Sequence, residues 1–269
     1  MKFHYFLSAH RSFRGRICEA DVSLHAILPN MPAGFRLTQF AALDDMYLYA
    51  QLVSEALRRC CHPTETVNLI DLGAGSCAPT VKALQDHSRY TRVQVIAVDC
   101  DPHAISIGQE NVRLTGLSQR YQFVQSDMLA YLRQLHMPQK TMICANPPYL
   151  PLPTTLPIEA TLPTLAVNGG TDGDVYLAAL LSHNFPIGTP IALQWSSLSN
   201  PTRIIHLIRE HYEVLAVVAH ETPFGSYTGS EPIRLHLLAQ RAKGRAVFNT
   251  KPDGSYTYYF VGTILRRVR

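Results

Sequence analysis

The sequence predicts an α/β fold built on a doubly wound, mostly parallel sheet, and three observations carry that expectation. From about Val67 onward, short apolar runs alternate with longer helix-like stretches, the pattern of a parallel sheet covered by helices. The first run, Asn68-Leu69-Ile70-Asp71-Leu72, passes straight into Gly73-Ala74-Gly75-Ser76 before a helix-like stretch, which is how such sheets begin a ligand-binding turn. Prolines stand at the openings of the next two helical stretches, Pro79 and Pro102, where their missing N–H would be unpaired anyway.

Taken in order, a helix is expected over Asp44 to Arg59, because Leu48, Leu52, Val53, Ala56 and Leu57 form a one-sided apolar stripe. Strands follow at Val67 to Asp71, Val93 to Val98, Tyr121 to Val124, Thr141 to Ala145 and Pro190 to Trp195. Helices are expected between them at Pro79 to Gln85, Pro102 to Thr115, Met128 to Leu135 and Val175 to Leu181. Pro147 to Thr164, with six prolines, reads as a loop. After Glu213 the pattern predicts strands at Val214 to Ala219 and Ile233 to Gln240, and a hairpin turning at Pro252-Asp253-Gly254. Residues 1–39 are expected to form a small N-terminal lobe or lid, and 40–269 one catalytic domain.

Composition narrows the function classes. The chain has 269 residues, 46% hydrophobic and 16% charged, enough apolar material for a folded domain with decorations. Six cysteines without a Cys-x-x-Cys pair read as reduced thiols in a cytoplasmic protein and argue against zinc. The apolar start is soon interrupted by His10, Arg11 and Arg14, and no run of about 18 apolar residues occurs, so neither a secretory signal nor a membrane span is expected. The net charge of +4 is scattered apart from Arg266, Arg267 and Arg269, which permits nucleic-acid binding without indicating it.

Four places carry chemistry. Gly73 and Gly75 let the backbone approach a ligand beside Asp71; a dinucleotide loop would want a third glycine where Ala78-Pro79 stand. Asp99 ends the second strand, where an acid can accept from both hydroxyls of a ribose, and a helix-capping role is the alternative for it and for Asp101. Asp127 after the third strand has two readings: acceptor for an adenine amino group beside the Met128 N–H, or N-cap of the helix that follows. Asn146-Pro147-Pro148-Tyr149 follows the fourth strand directly. There the Asn146 amide oxygen and the Pro147 carbonyl can accept both hydrogens of one planar NH2 group, while Tyr149 offers a flat face for that group.

On these residues the chain resembles class I S-adenosylmethionine-dependent methyltransferases of the Asn-Pro-Pro-Tyr type, and more narrowly the release factor glutamine methyltransferase family. The narrower likeness adds Asn168-Gly169-Gly170-Thr171-Asp172-Gly173 after the motif loop, the helix opening Asp44-Asp45-Met46-Tyr47-Leu48, and Val98 to Leu117 as a second βα unit. That resemblance implies a Rossmann-like, seven-stranded methyltransferase sheet. It implies S-adenosylmethionine bound by Asp71, Gly73, Gly75, Asp99, Asp127, Met128 and Asn146, no metal, and N-methylation by Asn146, Pro147 and Tyr149. The implied acceptor is a protein glutamine amide or an amide-bearing small molecule. The departures are the family's extended helical N-terminal domain, which has no counterpart before Gln39, its Pro-Arg-x-Glu-Thr-Glu segment, and Leu162 in place of an acid. With an aromatic and basic arm at His4, Tyr5, Phe6, His10, Arg11, Phe13, Arg14 and Arg16, they leave an exocyclic base amine in RNA or DNA open as acceptor.

Overall fold

The computed structural model describes residues 34–36, 43–137, 140–155 and 164–269. The basic aromatic arm, most of the expected N-terminal lobe, Leu162, and the end of the proline-rich loop up to Pro163 lie outside the described residues. The elements are α1 (Leu43–Cys60), β1 (Val67–Leu72), α2 (Ala78–Asp86), β2 (Val93–Asp99), α3 (Pro102–Leu114), β3 (Tyr121–Gln125) and α4 (Met128–Gln134). Then come β4 (Thr141–Ala145), α5 (Val175–Ser182), β5 (Pro190–Ser196), α6 (Pro201–His211), β6 (Tyr212–Pro223), α7 (Glu231–Ala242), β7 (Asn249–Thr250) and β8 (Tyr256–Arg267).

The strands form one sheet in the order β3-β2-β1-β4-β5-β8-β6, with the two-residue β7 alongside β8. Strands β1 to β5 pair in parallel, and β8 runs antiparallel between β5 and β6. The doubly wound, mostly parallel sheet expected from the alternation is therefore present, with seven strands along its path and a short eighth beside it.

Because side chains alternate across a strand, β1 feeds two cores at once. Ile70 and Leu72 pack with Ile143, Leu193, Trp195 and the apolar residues of α5 and α6. Val67 and Leu69 face Leu52, Val53, Ala56 and Leu57 of α1 and Leu84 of α2. Burial on both faces explains why the central strands are mostly apolar rather than strictly alternating.

The expected strand at Ile233 to Gln240 is instead the middle of helix α7. Ile233, Leu235 and Leu237 mimic a period of two, but Ile233, Leu237 and Gln240 are the buried residues while Leu235 is 54% exposed. That is the i, i+4, i+7 spacing of a helix face, and the strand in the interior is β8. Helix α6 is a further element that the pattern does not predict; it buries Ile204, Ile205 and Ile208 against the α5 side of the sheet. The hairpin turn lies at the expected position, with Lys251 and Gly254 closing it: the Lys251 N–H donates to the Ser255 carbonyl at 2.8 Å, and the Gly254 N–H to the Lys251 carbonyl at 2.9 Å.

Candidate functional site

Parallel register brings the chemistry-bearing residues to one edge. Leu72 stands opposite both Val98 and Ala145, and Asp99 opposite Gln125. The residues that leave these strands, Gly73 to Gly75, Asp99, Asp127 and Asn146, therefore converge at the carboxyl ends of β1 to β4, the place where open α/β sheets bind ligands.

The glycine turn is held from below and from the side. The Gly73 and Ala74 N–H groups both donate to the Val98 carbonyl, at 2.8 and 3.0 Å. Gly75, at φ +52°, lies in the left-handed region that favours glycine, and a Cβ added there would meet nothing within 4 Å. Open space thus borders the turn. Asp99 is only half-buried; its Oδ2 accepts from the Gly75 N–H at 2.8 Å and its Oδ1 from the Asp101 N–H at 2.9 Å. Each oxygen retains a second lone pair, so the carboxylate is oriented yet still able to accept. Burial is the main cause that pushes the Asp99 carboxyl above the ordinary range, against those two hydrogen bonds.

Asp71 is different. It is 0% exposed, and its Oδ1 accepts from the Tyr49 hydroxyl at 2.6 Å. Burial raises its pKa to about 6. Its side chain supports the turn from within the core. Asp101 and Asp127 are helix caps: Asp101 accepts from the His103 N–H and exposed Asp127 from the Ala130 N–H, each at 2.9 Å. Met128 is buried behind Asp127.

At the end of β4, Asn146 donates through Nδ2 to Asp45 Oδ2 at 2.6 Å, and its Oδ1 is buried without a partner among the described residues. The Tyr149 hydroxyl donates to Asp45 Oδ1, and the Tyr149 ring meets Phe260 edge-on at 6.2 Å. Gln194 Nε2 donates to the Asp45 carboxylate at 2.6 Å and to its backbone carbonyl at 2.8 Å. Burial raises the Asp45 carboxyl above its ordinary value, countered by the hydrogen bonds from Tyr149, Asn146 and Gln194. Asp45 and Gln194 are not among the residues that the sequence singles out for the site. A signal exists for each: Asp45 is in phase with the apolar stripe of α1, three and seven residues before Leu48 and Leu52, and Gln194 interrupts an apolar strand.

The segment Gly169 to Gly173 acts on Tyr149 rather than on open space. A Cβ at Gly169 would lie 2.8 Å from the Tyr149 Cα, and one at Gly173 2.6 Å from the Tyr149 carbonyl oxygen. The neighbouring Leu150 N–H donates to the Val167 carbonyl and its own carbonyl accepts from the Gly169 N–H at 3.0 Å, while Ser199 Oγ donates to the Tyr149 carbonyl at 2.9 Å. These glycines brace the motif backbone, so their presence speaks for the precise seating of Tyr149 and not by itself for one kind of acceptor.

Comparison with known proteins agrees with the resemblance read from the motifs. A family model described as conserved hypothetical protein 95 matches residues 51–169. The chain is 37% identical over 130 residues to a release factor glutamine methyltransferase of Moorella thermoacetica, covering 47% of this chain and 44% of that protein. It is 35% identical over 128 residues to a protein of the same name from Rhodopirellula baltica, covering 45% and 40%. The match thus spans less than half the length of these curated relatives. Among solved structures, a precorrin-6y C5,15-methyltransferase from Geobacter metallireducens superposes with a TM-score of 0.48 and 13% identity, over 87% of this chain and 94% of that one. Among the described residues no helix is long and apolar enough to cross a membrane.

Proposed function

We propose that this chain, similar over 128 to 130 residues to release factor glutamine methyltransferases, is an S-adenosylmethionine-dependent N-methyltransferase whose acceptor is a glutamine-type side-chain amide. The observation that carries the reading is the buried Oδ1 of Asn146, which has no hydrogen-bond partner among the described residues, on a residue whose main chain lies beside the glycine turn: a Cβ on Gly73 would lie 3.9 Å from the Asn146 main-chain carbonyl oxygen. A buried acceptor is disfavoured unless something donates to it, and an NH2 group is the donor that suits this position.

The residues fit the cofactor. The space beside Gly75 leaves room for a ligand against the backbone, and the oriented Asp99 carboxylate keeps two lone pairs for the two hydroxyls of a ribose. Asp127 retains an oxygen not used in its cap, at the same edge where a base amino group would lie. When bound, S-adenosylmethionine supplies an electrophilic methyl on a sulfonium sulfur. The chain's own part is alignment. Asn146 Oδ1 and the Pro147 carbonyl accept the two N–H groups of the amide, which turns the nitrogen lone pair toward the cofactor side and favours pyramidal character there. The amide nitrogen loses one proton after it gains the methyl, so no strongly basic side chain is required.

The glutamine-type acceptor rests on the names of the relatives, and the seating of Tyr149 by Gly169 and Gly173 supports an acceptor held in one plane. Incubating the protein with methyl-labelled S-adenosylmethionine and a cell extract tests both levels. Label in a protein fraction that mass spectrometry places on a glutamine amide is the expected result, and label on adenine or guanine amino groups with none on amides would overturn the acceptor. Asn146→Ala should keep cofactor affinity and lose most turnover; retention of wild-type turnover would remove Asn146 from the chemistry. Asp99→Ala should weaken cofactor binding by roughly 1.5 to 3 kcal/mol, and unchanged affinity by calorimetry would remove the ribose contact.

A further inference from the structure

Resting on that reading, we propose that Asp45 is the positioning residue that fixes which way round the Asn146 amide sits, so that its carbonyl oxygen and not its NH2 meets the acceptor nitrogen. Three donors converge on this carboxylate, which is only 3% exposed: Asn146 Nδ2, the Tyr149 hydroxyl and Gln194 Nε2. An ionised carboxylate can only accept. Asn146 can therefore hydrogen-bond to it in one of its two flips, the flip that turns Oδ1 away.

That geometry accounts for an otherwise costly arrangement, in which a buried amide satisfies its donor and leaves its acceptor without a partner among the described residues. Freed from Asp45, the amide could rotate and present Nδ2 outward, where it would oppose an N–H donor instead of accepting from it. Asp45 is itself fixed. It lies in the first turn of α1, and Gln194 of β5 ties both its carboxylate and its main-chain carbonyl to the sheet, at 2.6 and 2.8 Å. The same carboxylate takes the Tyr149 hydroxyl, so one buried acid sets two residues of the Asn-Pro-Pro-Tyr motif from an element 101 positions earlier in the chain.

The test pairs an orientation readout with transfer. In 15N-labelled protein the Asn146 side-chain NH2 signals are identified by their loss in Asn146→Asp. They should be protected from solvent exchange in the wild type and lose that protection in Asp45→Asn. Initial rates of label transfer from S-adenosylmethionine into extract protein should fall about 100-fold in Asp45→Asn, the cost of a misplaced orienting group, while cofactor affinity stays at the wild-type value. If Asp45→Asn keeps wild-type transfer while Asn146→Ala loses it, the positioning role is overturned and the methyltransferase reading stands. If both variants keep it, Asn146 is removed from the chemistry and the positioning role of Asp45 falls with it; the methyltransferase reading falls only if the wild type transfers no label. Should Asp45→Asn lose its thermal transition, the wild-type signals decide: free exchange of the Asn146 NH2 with solvent would overturn the proposal.

Discussion

Replacing Asp71 with Asn should flatten the dependence of stability on pH across the mildly acid range. The wild-type carboxyl is wholly buried and its pKa is raised to about 6 from the ordinary 3.8. Well below the ordinary value the group is protonated whether the chain is folded or not, and it contributes no pH dependence. Between there and pH 6 the folded state holds a proton that the unfolded chain has released, so stability falls as pH rises. Above pH 6 the folded protein carries a buried carboxylate. The span from 3.8 to about 6 corresponds to about 3 kcal/mol. The amide introduced by Asp71→Asn would keep an oxygen for the Tyr49 hydroxyl, and whatever its NH2 costs in the Oδ2 position is independent of pH. Urea unfolding of both proteins at pH 4.5 and 7.5 is the assay, a window that spans most of that range. Relative to wild type, the variant should be more stable at the higher pH than at the lower by about 2 kcal/mol. Curves for the two proteins that keep a constant separation across the two pH values would refute the argument that burial governs this carboxyl.

Gly173→Ala should reduce turnover more than it reduces cofactor affinity, because its Cβ would press to 2.6 Å on the Tyr149 carbonyl at a φ of +75°; equal losses in both, measured by calorimetry and label transfer, would show a general disturbance instead. Within α7, Leu237→Ala should destabilise the fold by about 2 to 5 kcal/mol, whereas Leu235→Ala should stay within about 0.5 kcal/mol. Similar losses in thermal or urea unfolding would contradict the helical face, since Leu237 is 0% and Leu235 54% exposed.

By itself the sequence determined the sheet-and-helix order from Leu43 to Ser196, the glycine turn and the Asn146 to Tyr149 motif, because each is a local pattern: apolar runs of strand length, prolines at helix openings, a turn that needs glycine. It also placed Asp99, Asp127 and Asn146 at one edge, since strands that pair in parallel put their carboxyl ends together. It did not determine α7, where Ile233, Leu235 and Leu237 fit a strand's period as well as a helix's until the neighbours choose which of them is covered. Nor did it decide between ligand contact and capping for Asp101 and Asp127, both of which cap their helices. Tertiary structure alone decided that Asp45 and Gln194, 149 positions apart, share a hydrogen bond beneath Asn146. The reason is physical. A backbone hydrogen-bonding pattern is written into neighbouring residues, whereas the orientation of a buried amide depends on which charge the packed core places against it.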